Sequence, residues 1–161
     1  MSEALLTERD VRVFVDALAR FFHATTGLAA TVRTAYRVAE PEPLRPGDLL
    51  GEIPVSGAYG GSIEFVAPRA LLSHVLLRMG ERDFSDVVHL DLVGEIANQV
   101  AGYARRVYGD ALAIAPPRVR RLGPDERVLW DGPVFAVPLT WNDYEATLLV
   151  RLLPRAALAN P

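Results

Sequence analysis

The sequence contains neither cysteine nor lysine. Without cysteine the chain can form no disulfide, no thiolate nucleophile and no cysteine-ligated zinc site. Because all 17 basic residues are arginine, a lysine Schiff base and the phosphate-binding lysine of a P-loop are excluded as well. The three histidines, His23, His74 and His89, form no HExxH pattern, and the GxSxG and GxGxxG motifs are absent. The sequence therefore lacks the usual support for thiol, zinc, serine-hydrolase and dinucleotide chemistry.

Charge and hydropathy exclude further classes of protein. The formal net charge is −3 and both signs are scattered along the chain, which gives no basic footprint for nucleic acid. No apolar run approaches the length that spans a membrane, and the first ten residues are too polar for a signal sequence. With 161 residues, 50% of them hydrophobic, the chain can bury one core. We expect a single domain over residues 1–161 that lies in the cytoplasm and binds neither nucleic acid nor membrane.

The most informative stretch is residues 86–108, DVVHLDLVGEIANQVAGYARRVY. With a step of about 100° per residue, its apolar residues fall on one side of a helix. This predicted core side comprises Val93, Ile96, Ala97, Val100, Tyr103, Ala104 and Val107. Steps of three and four residues collect a polar stripe on the opposite side. The stripe comprises Asp91, Glu95, Asn98, Gly102 and Arg105.

The composition of this stripe does not favour the helix itself. Asp91 and Glu95 repel each other by roughly a few tenths of a kcal/mol, and a glycine in mid-helix costs roughly 0.8–1.0 kcal/mol relative to alanine. Because Gly102 carries no Cβ, another backbone or a ligand could come close there. Asn98 and Gly102 thus suggest that another backbone or a ligand approaches this face of the helix. The alternative of a merely solvated polar face is common to all amphipathic helices and stays open.

Two other interpretations of the stripe are weaker. Asp91, Glu95 and Asn98 could ligate magnesium or calcium, but three oxygen ligands on one rigid helix make an incomplete site for ions that take six or more. The two acids could also form a glycosidase-like pair, which requires one carboxyl group that stays protonated in a cleft. An outward helix face beside Arg105 and Arg106 gives no sign of such a cleft.

The spacing of Asp91, Glu95 and Asn98, within the run GEIANQVAG, resembles the signature of the CheC/CheX/FliY chemotaxis phosphatase family. Upstream, GGSIEFVAPRALLSHVLLRMG is similar to the strand and helix that precede the signature helix in CheX. Downstream, Pro116 and Pro117 resemble the proline that follows it, and VFAVPLTWNDYEATLLVRL resembles the terminal hairpin. The resemblance covers residues 55–153. The single Glu-x-x-Asn signature is similar to CheX and unlike the duplicated arrangement typical of CheC.

The order of elements along the chain predicts an α+β domain. The expected elements are a capped, aromatic-rich helix at 8–24, a strand at 30–38, a hairpin over 49–66, a helix over 68–80, the signature helix, a strand at 117–122 and a terminal hairpin over 134–152. We expect an antiparallel β-sheet with helices packed on one face, including the N-terminal helix and the long signature helix. Pro54 is expected to mark a strand edge or end. The resemblance implies a CheX-like fold and a homodimer formed partly by edge strands.

The resemblance also implies a reaction, namely hydrolysis of the aspartyl phosphate on a response-regulator receiver domain (CheY-like), in chemotaxis or another two-component pathway. Glu95 and Asn98 would be the catalytic residues. The Asn98 carboxamide, both donor and acceptor, would hold a water in line with phosphorus, and Glu95 would pair with the receiver's lysine. Asp91 would be a supporting residue and Gly102 would let the receiver approach. The chain would need no cofactor of its own, because Mg²⁺ would sit on the receiver.

The sequence departs from the family pattern in two places. Pro116 and Pro117 follow Asn98 a few residues sooner than usual, which implies a shorter connection and could alter how the receiver docks. The segment GPDERVLWDG adds Trp130, which is either covered or in contact with a partner. The alternative function is a CheX-like module that binds a receiver, or a second copy of itself, without hydrolysis. The phosphatase is favoured because a pure scaffold has no chemical need for a carboxamide at position 98.

Overall fold

In the computed structural model, which describes residues 6–128 and 132–154, eight strands form one antiparallel sheet beside three α-helices. The helices are α1 (Glu8–Thr26), α2 (Arg69–Arg78) and α3 (Asp86–Tyr108). The strands are β1 (Thr31–Val32), β2 (Tyr36–Arg37), β3 (Leu49–Gly57), β4 (Tyr59–Ala67), β5 (Leu112–Ile114), β6 (Arg118–Arg121), β7 (Phe135–Trp141) and β8 (Tyr144–Pro154). The sheet order is β1–β7–β8–β4–β3–β5, with β2 also paired to β7 and β6 also paired to β3. Trp130 lies outside the described residues.

Local sequence sets the ends of the long helices. Thr7 and Asp10 cap α1 reciprocally, since the Asp10 N–H donates to the Thr7 hydroxyl and the Thr7 N–H donates to the Asp10 carboxylate. Gly27 ends α1 in the left-handed conformation, with φ of 74°. Gly109 ends α3 with φ of 66°. Helix α3 spans the predicted residues, and α1 extends slightly beyond the predicted end.

The helices cover one face of the sheet, as predicted. The main hydrophobic core combines residues of α1, α2 and α3 with the side chains that β3, β4, β7 and β8 turn toward them. Its large, fully buried members include Phe14, Phe22, Ile53, Phe65 and Trp141. Each such side chain contributes roughly 1.5–3 kcal/mol by leaving water. The α+β antiparallel architecture is confirmed.

The other face of the sheet is also buried, but by loops. Leu49 belongs to the main core while Leu50 belongs to a second cluster, because successive strand residues point to opposite faces. This second cluster comprises Val38, Leu50, Val66, Leu122, Val128, Val134, Ala136 and Leu149. The described parts of the connections between β2 and β3 and between β6 and β7 therefore cover this face of the sheet. The signature helix α3 lies on the other face.

Three details of the sheet differ from the sequence-based expectations. The strand expected at 30–38 is two short strands, β1 and β2, and β5 was not predicted at all. The expectation that Pro54 marks an edge or end of its strand was wrong, because β3 continues to Gly57 and pairs with β4 on one side and with β5 and β6 on the other. Proline is accommodated because Pro54 lies between the residues paired with β6 and those paired with β5, where no ladder N–H is required of it.

Candidate active site

Helix α3 lies close against the sheet because glycine occupies both sides of the contact. A Cβ atom added to Gly51 of β3 would lie 2.4 Å from the Val93 carbonyl oxygen. One added to Gly94 of α3 would lie 2.7 Å from Cγ1 of Val119 in β6 and 3.4 Å from Cβ of Pro117. The segment of α3 that carries the signature is thus held against β3 and β6 by close backbone packing.

The predicted core side of α3 is largely confirmed. Val93, Ile96, Ala97, Val100 and Ala104 are fully buried, and Tyr103 is partly buried against the core. Val107 was predicted to be buried and is 55% exposed. At this last turn the neighbouring Tyr108 takes the inward position, with its ring 6.1 Å from that of Tyr59.

The polar stripe faces away from the sheet. Asp91, Glu95 and Arg105 are exposed, and Asn98 and Gly102 are partly exposed. The structure thus brings the predicted site residues together on one open helix face. Their assignment as catalytic and supporting residues stays a prediction.

Asn98 lies in a shallow depression of about 210 Å³ that is also lined by Gln99, Gly102 and Arg106. Within residues 6–128 and 132–154, the Asn98 carboxamide makes no hydrogen bond, so its donor and acceptor groups are both available. A Cβ added to Gly102 would have nothing within 4 Å. Packing within the protein therefore does not require glycine at position 102. The absence of a side chain lowers the wall of the depression around Asn98.

Glu95 has a neighbour that the sequence analysis missed. The Gln99 side-chain amide donates to Oε1 of Glu95 over 2.8 Å. Residues four apart on a helix face are natural partners, so this pair was readable from the spacing. One carboxylate oxygen of Glu95 is thereby oriented, while no arginine of the described part of the chain pairs with Glu95. Glu95 remains a charged group directed at solvent.

Helix α1 forms a second wall beside the site, which the sequence analysis also missed. A cleft of about 370 Å³ lies between α1 and α3, and Glu95, Gln99, Arg20, Tyr103 and Arg106 are among its lining residues. The two guanidinium groups lie over the Tyr103 ring, at 5.2 Å for Arg20 and 5.7 Å for Arg106. Because the contact between α1 and α3 joins residues that are far apart in the sequence, no local sequence pattern predicted it.

A hydrogen bond near the end of α3 fixes α1 beside it. The Tyr108 hydroxyl donates to the Asp10 carboxylate over 2.7 Å. Partial burial acts to raise the pKa of Asp10, but the hydrogen bonds from Tyr108 and Thr7 outweigh it and hold that pKa below its ordinary value. The carboxylate therefore stays ionised, and the bond persists, at neutral pH.

Two further observations bear on the alternatives. Within the described residues, no three histidine or acidic side chains come together in a way that could hold a metal ion. The interpretation of the stripe as a magnesium or calcium site thus gains no support. No helix in the described part of the chain is long and apolar enough to cross a membrane.

Comparison with known proteins decides the family. The family model described as chemotaxis phosphatase CheX matches residues 49–128, which include the whole of α3. The chain is a CheX-like member of the CheC/CheX/FliY family. No curated protein matches the chain. The resemblance stated from the signature and its flanking segments is therefore confirmed.

Solved CheX structures share the fold. CheX from Vibrio vulnificus is 25% identical, with 88% of this chain and 97% of that chain covered and a TM-score of 0.74. CheX from Desulfovibrio desulfuricans is 24% identical over the same shares of the two chains, also with a TM-score of 0.74. The CheX–CheY–BeF₃–Mg²⁺ complex from Borrelia burgdorferi contains a chain that is 17% identical, with 89% and 97% covered and a TM-score of 0.66. The CheX-like fold thus extends over nearly the whole chain, including parts outside the family-model match.

Proposed function

We propose that this CheX-like protein hydrolyses the aspartyl phosphate of a response-regulator receiver domain. The observation that carries the proposal is the Asn98 carboxamide, which makes no hydrogen bond within the described chain, one helical turn from the exposed Glu95. Both lie on a face that Gly102 leaves open. The family match supports the reaction class, and the Borrelia CheX crystallised with CheY, BeF₃ and Mg²⁺ supports the kind of partner.

The reaction requires little covalent chemistry from the phosphatase. The water oxygen attacks phosphorus, the bond between phosphorus and the aspartyl oxygen breaks, and the products are the free aspartate carboxylate, inorganic phosphate and a proton. The Asn98 carboxamide oxygen accepts a hydrogen bond from the water and so holds it in line. A neutral amide does this without adding negative charge beside an anionic phosphoryl group. The receiver supplies Mg²⁺, so the chain itself contributes no metal or cofactor.

Glu95 has the second role, which is to secure the receiver. Its carboxylate pairs with the receiver's lysine, and the hydrogen bond from Gln99 orients it for that contact. A desolvated charge pair fixes the register of an interface more than it adds affinity. Asp91 lies one turn further on the same exposed face and acts as a supporting polar residue.

A second copy of the chain is a further expected partner. The described sheet ends in short strands, with β1 and β2 at one side and β5 and β6 at the other. Unpaired backbone groups along such edges can pair with another chain. We therefore retain the expectation of a homodimer formed partly by edge strands, and of a cytoplasmic location, where the receivers of two-component systems act.

The test of this function is the loss of phosphate from purified, phosphorylated receiver domains at substoichiometric phosphatase. Wild type should accelerate the loss on at least one receiver. Glu95→Gln, which keeps the shape and removes the charge, should weaken both receiver binding and hydrolysis. Asp110→Asn removes the same charge from an exposed site just beyond α3 and should change neither. Wild-type binding to a receiver without accelerated loss would instead support the non-catalytic module.

Gly102→Ala should separate stability from function. Because nothing lies within 4 Å of the added methyl group, the variant should gain roughly 0.8–1.0 kcal/mol in unfolding free energy from helix propensity. The same methyl group should obstruct the receiver and raise its KM by about tenfold, a cost of about 1.4 kcal/mol. Urea unfolding and steady-state dephosphorylation measure the two effects. A more stable variant with unchanged KM would show that the receiver does not approach position 102.

A further inference from the structure

The cleft between α1 and α3 continues the candidate active site toward α1. Glu95 and Gln99 line one part of it, and the buried Ala17 and Leu92 lie beneath. Arg106 lines both this cleft and the depression around Asn98. A partner docked over Asn98 would therefore also cover Arg106 and the opening of the cleft.

Two positive charges at this opening, those of Arg20 and Arg106, come from different helices and lie over the same ring. The Arg20 and Arg106 guanidinium groups both lie over the Tyr103 ring, within cation–π distance, although Arg20 belongs to α1 and Arg106 to α3. Within the described residues, neither arginine makes a salt bridge or a side-chain hydrogen bond. A cation–π contact restrains a guanidinium group while its N–H groups stay free to donate. Both side chains are exposed, so these donors are available to a partner.

Five arginines of the described residues are neutralised by acidic side chains. Arginines that form salt bridges with acidic side chains are Arg33, Arg69, Arg118, Arg120 and Arg151. Arg20 and Arg106 bring two further cations, one from each helix, to the border of the face that carries Asp91, Glu95 and Arg105. What distinguishes these two arginines is that they converge on one ring from different helices, and two adjacent cations without an acidic partner in the described part of the chain favour an anionic group at this border.

The substrate in the proposed function has such a group to offer. A receiver phosphorylated on aspartate carries an anionic phosphoryl group and holds Mg²⁺ with further oxygen ligands, chiefly carboxylates. Apart from the lysine that pairs with Glu95, the anionic groups of its docking surface would be repelled by Asp91 and Glu95 unless nearby cations compensated. A guanidinium group can bind a carboxylate through two parallel hydrogen bonds, which adds orientation to attraction.

We propose that Arg20 and Arg106, which lie over the Tyr103 ring, bind a carboxylate on the phosphorylated receiver beside the group on which Asn98 acts. The inference rests on the proposed function and deepens it, since it names a second contact from α1 that decides which receivers dock. Receivers with an acidic side chain at the matching position are preferred substrates. The pair contributes to docking and not to the chemical step.

The test is a double variant, Arg20→Gln with Arg106→Gln, assayed for steady-state dephosphorylation over a range of salt concentrations. The KM for the phosphorylated receiver should rise about tenfold with kcat unchanged. The salt dependence of kcat/KM should become shallower, because two attractive charges are gone. Arg127→Gln is the matched control, since it removes a charge from an exposed arginine in the loop that covers the other face of the sheet; its KM should stay within about twofold of wild type.

Two results would overturn the inference. One is a double variant with the KM and salt dependence of the Arg127→Gln control, and the other is a loss of kcat at unchanged KM. If the wild-type protein accelerates phosphate loss on no receiver, the proposed function fails separately. Direct titration of receivers against wild type and the double variant then decides the inference, which weaker binding by the double variant supports and equal binding overturns.

Discussion

An Asn98→Ala variant is expected to lose at least about 100-fold of its hydrolysis rate on a phosphorylated receiver, because an unpositioned water attacks phosphorus far less often. Receiver binding should stay within about threefold of wild type, since the Glu95 contact and the open face at Gly102 are kept. The side chain is partly exposed and makes no hydrogen bond within the described residues, so the fold should be unaffected. Single-turnover phosphate release and receiver titration measure the two quantities.

Gln99→Ala is the informative control for this prediction. Gln99 is the next carboxamide along the helix and lines the same depression, but it is bonded to Glu95. Its removal should affect docking by a few-fold and leave the chemical step nearly unchanged. If Gln99→Ala lost as much single-turnover rate as Asn98→Ala, the water could not be assigned to Asn98. If Asn98→Ala kept its rate, the proposed site would be wrong.

Gly51→Ala is expected to destabilise the protein by about 3 kcal/mol or more, the upper end of the range for overpacked sites. The added methyl group would lie 2.4 Å from the Val93 carbonyl oxygen, 2.8 Å from the Val93 carbonyl carbon and 3.0 Å from the Gly94 Cα atom. All three are backbone atoms of α3, so no side-chain rotation relieves the clash. The helix must move away from β3, and the signature face moves with it. Urea unfolding measures the loss.

Gly102→Ala serves as the control, because it places the same methyl group on the opposite side of the same helix, where there is open space. It should raise stability while Gly51→Ala lowers it. A Gly51→Ala protein within about 1 kcal/mol of wild type would show that α3 shifts on the sheet at little cost. The close packing would then not be what positions Glu95 and Asn98.

Helix α3 could be predicted from the sequence because its signals are local. The apolar period of 3.6 residues set the buried side, and Gly109 set the end. The same period placed Asp91, Glu95, Asn98 and Gly102 on one face, where the structure has them. The tail hairpin was equally readable, since Asn142 and Asp143 adopt the positive φ values of a tight turn.

The parts that were missed depend on distant contacts. Strand β5 was missed, and the strand expected at 30–38 is divided into β1 and β2. These strands of two or three residues exist because β3 and β7 pair with them, which no short sequence pattern encodes. The cation–π contact between Arg20 and Tyr103 joins residues on different helices. Gly51 was a readable signal, since a glycine inside a strand often marks a close backbone approach. Its partner on α3 became evident only in the folded structure.

The phosphatase function is tested most directly by the decay of phosphate on a panel of purified, phosphorylated receiver domains, each alone, with wild-type protein and with Asn98→Ala. We expect a receiver whose phosphate decay is accelerated by wild type at substoichiometric concentration and returns to its intrinsic rate with Asn98→Ala, although the variant still binds. Acceleration that is the same with both proteins would contradict the assignment of Asn98. Binding of receivers with no acceleration by wild type would contradict the phosphatase function and make the face of α3 a docking surface alone.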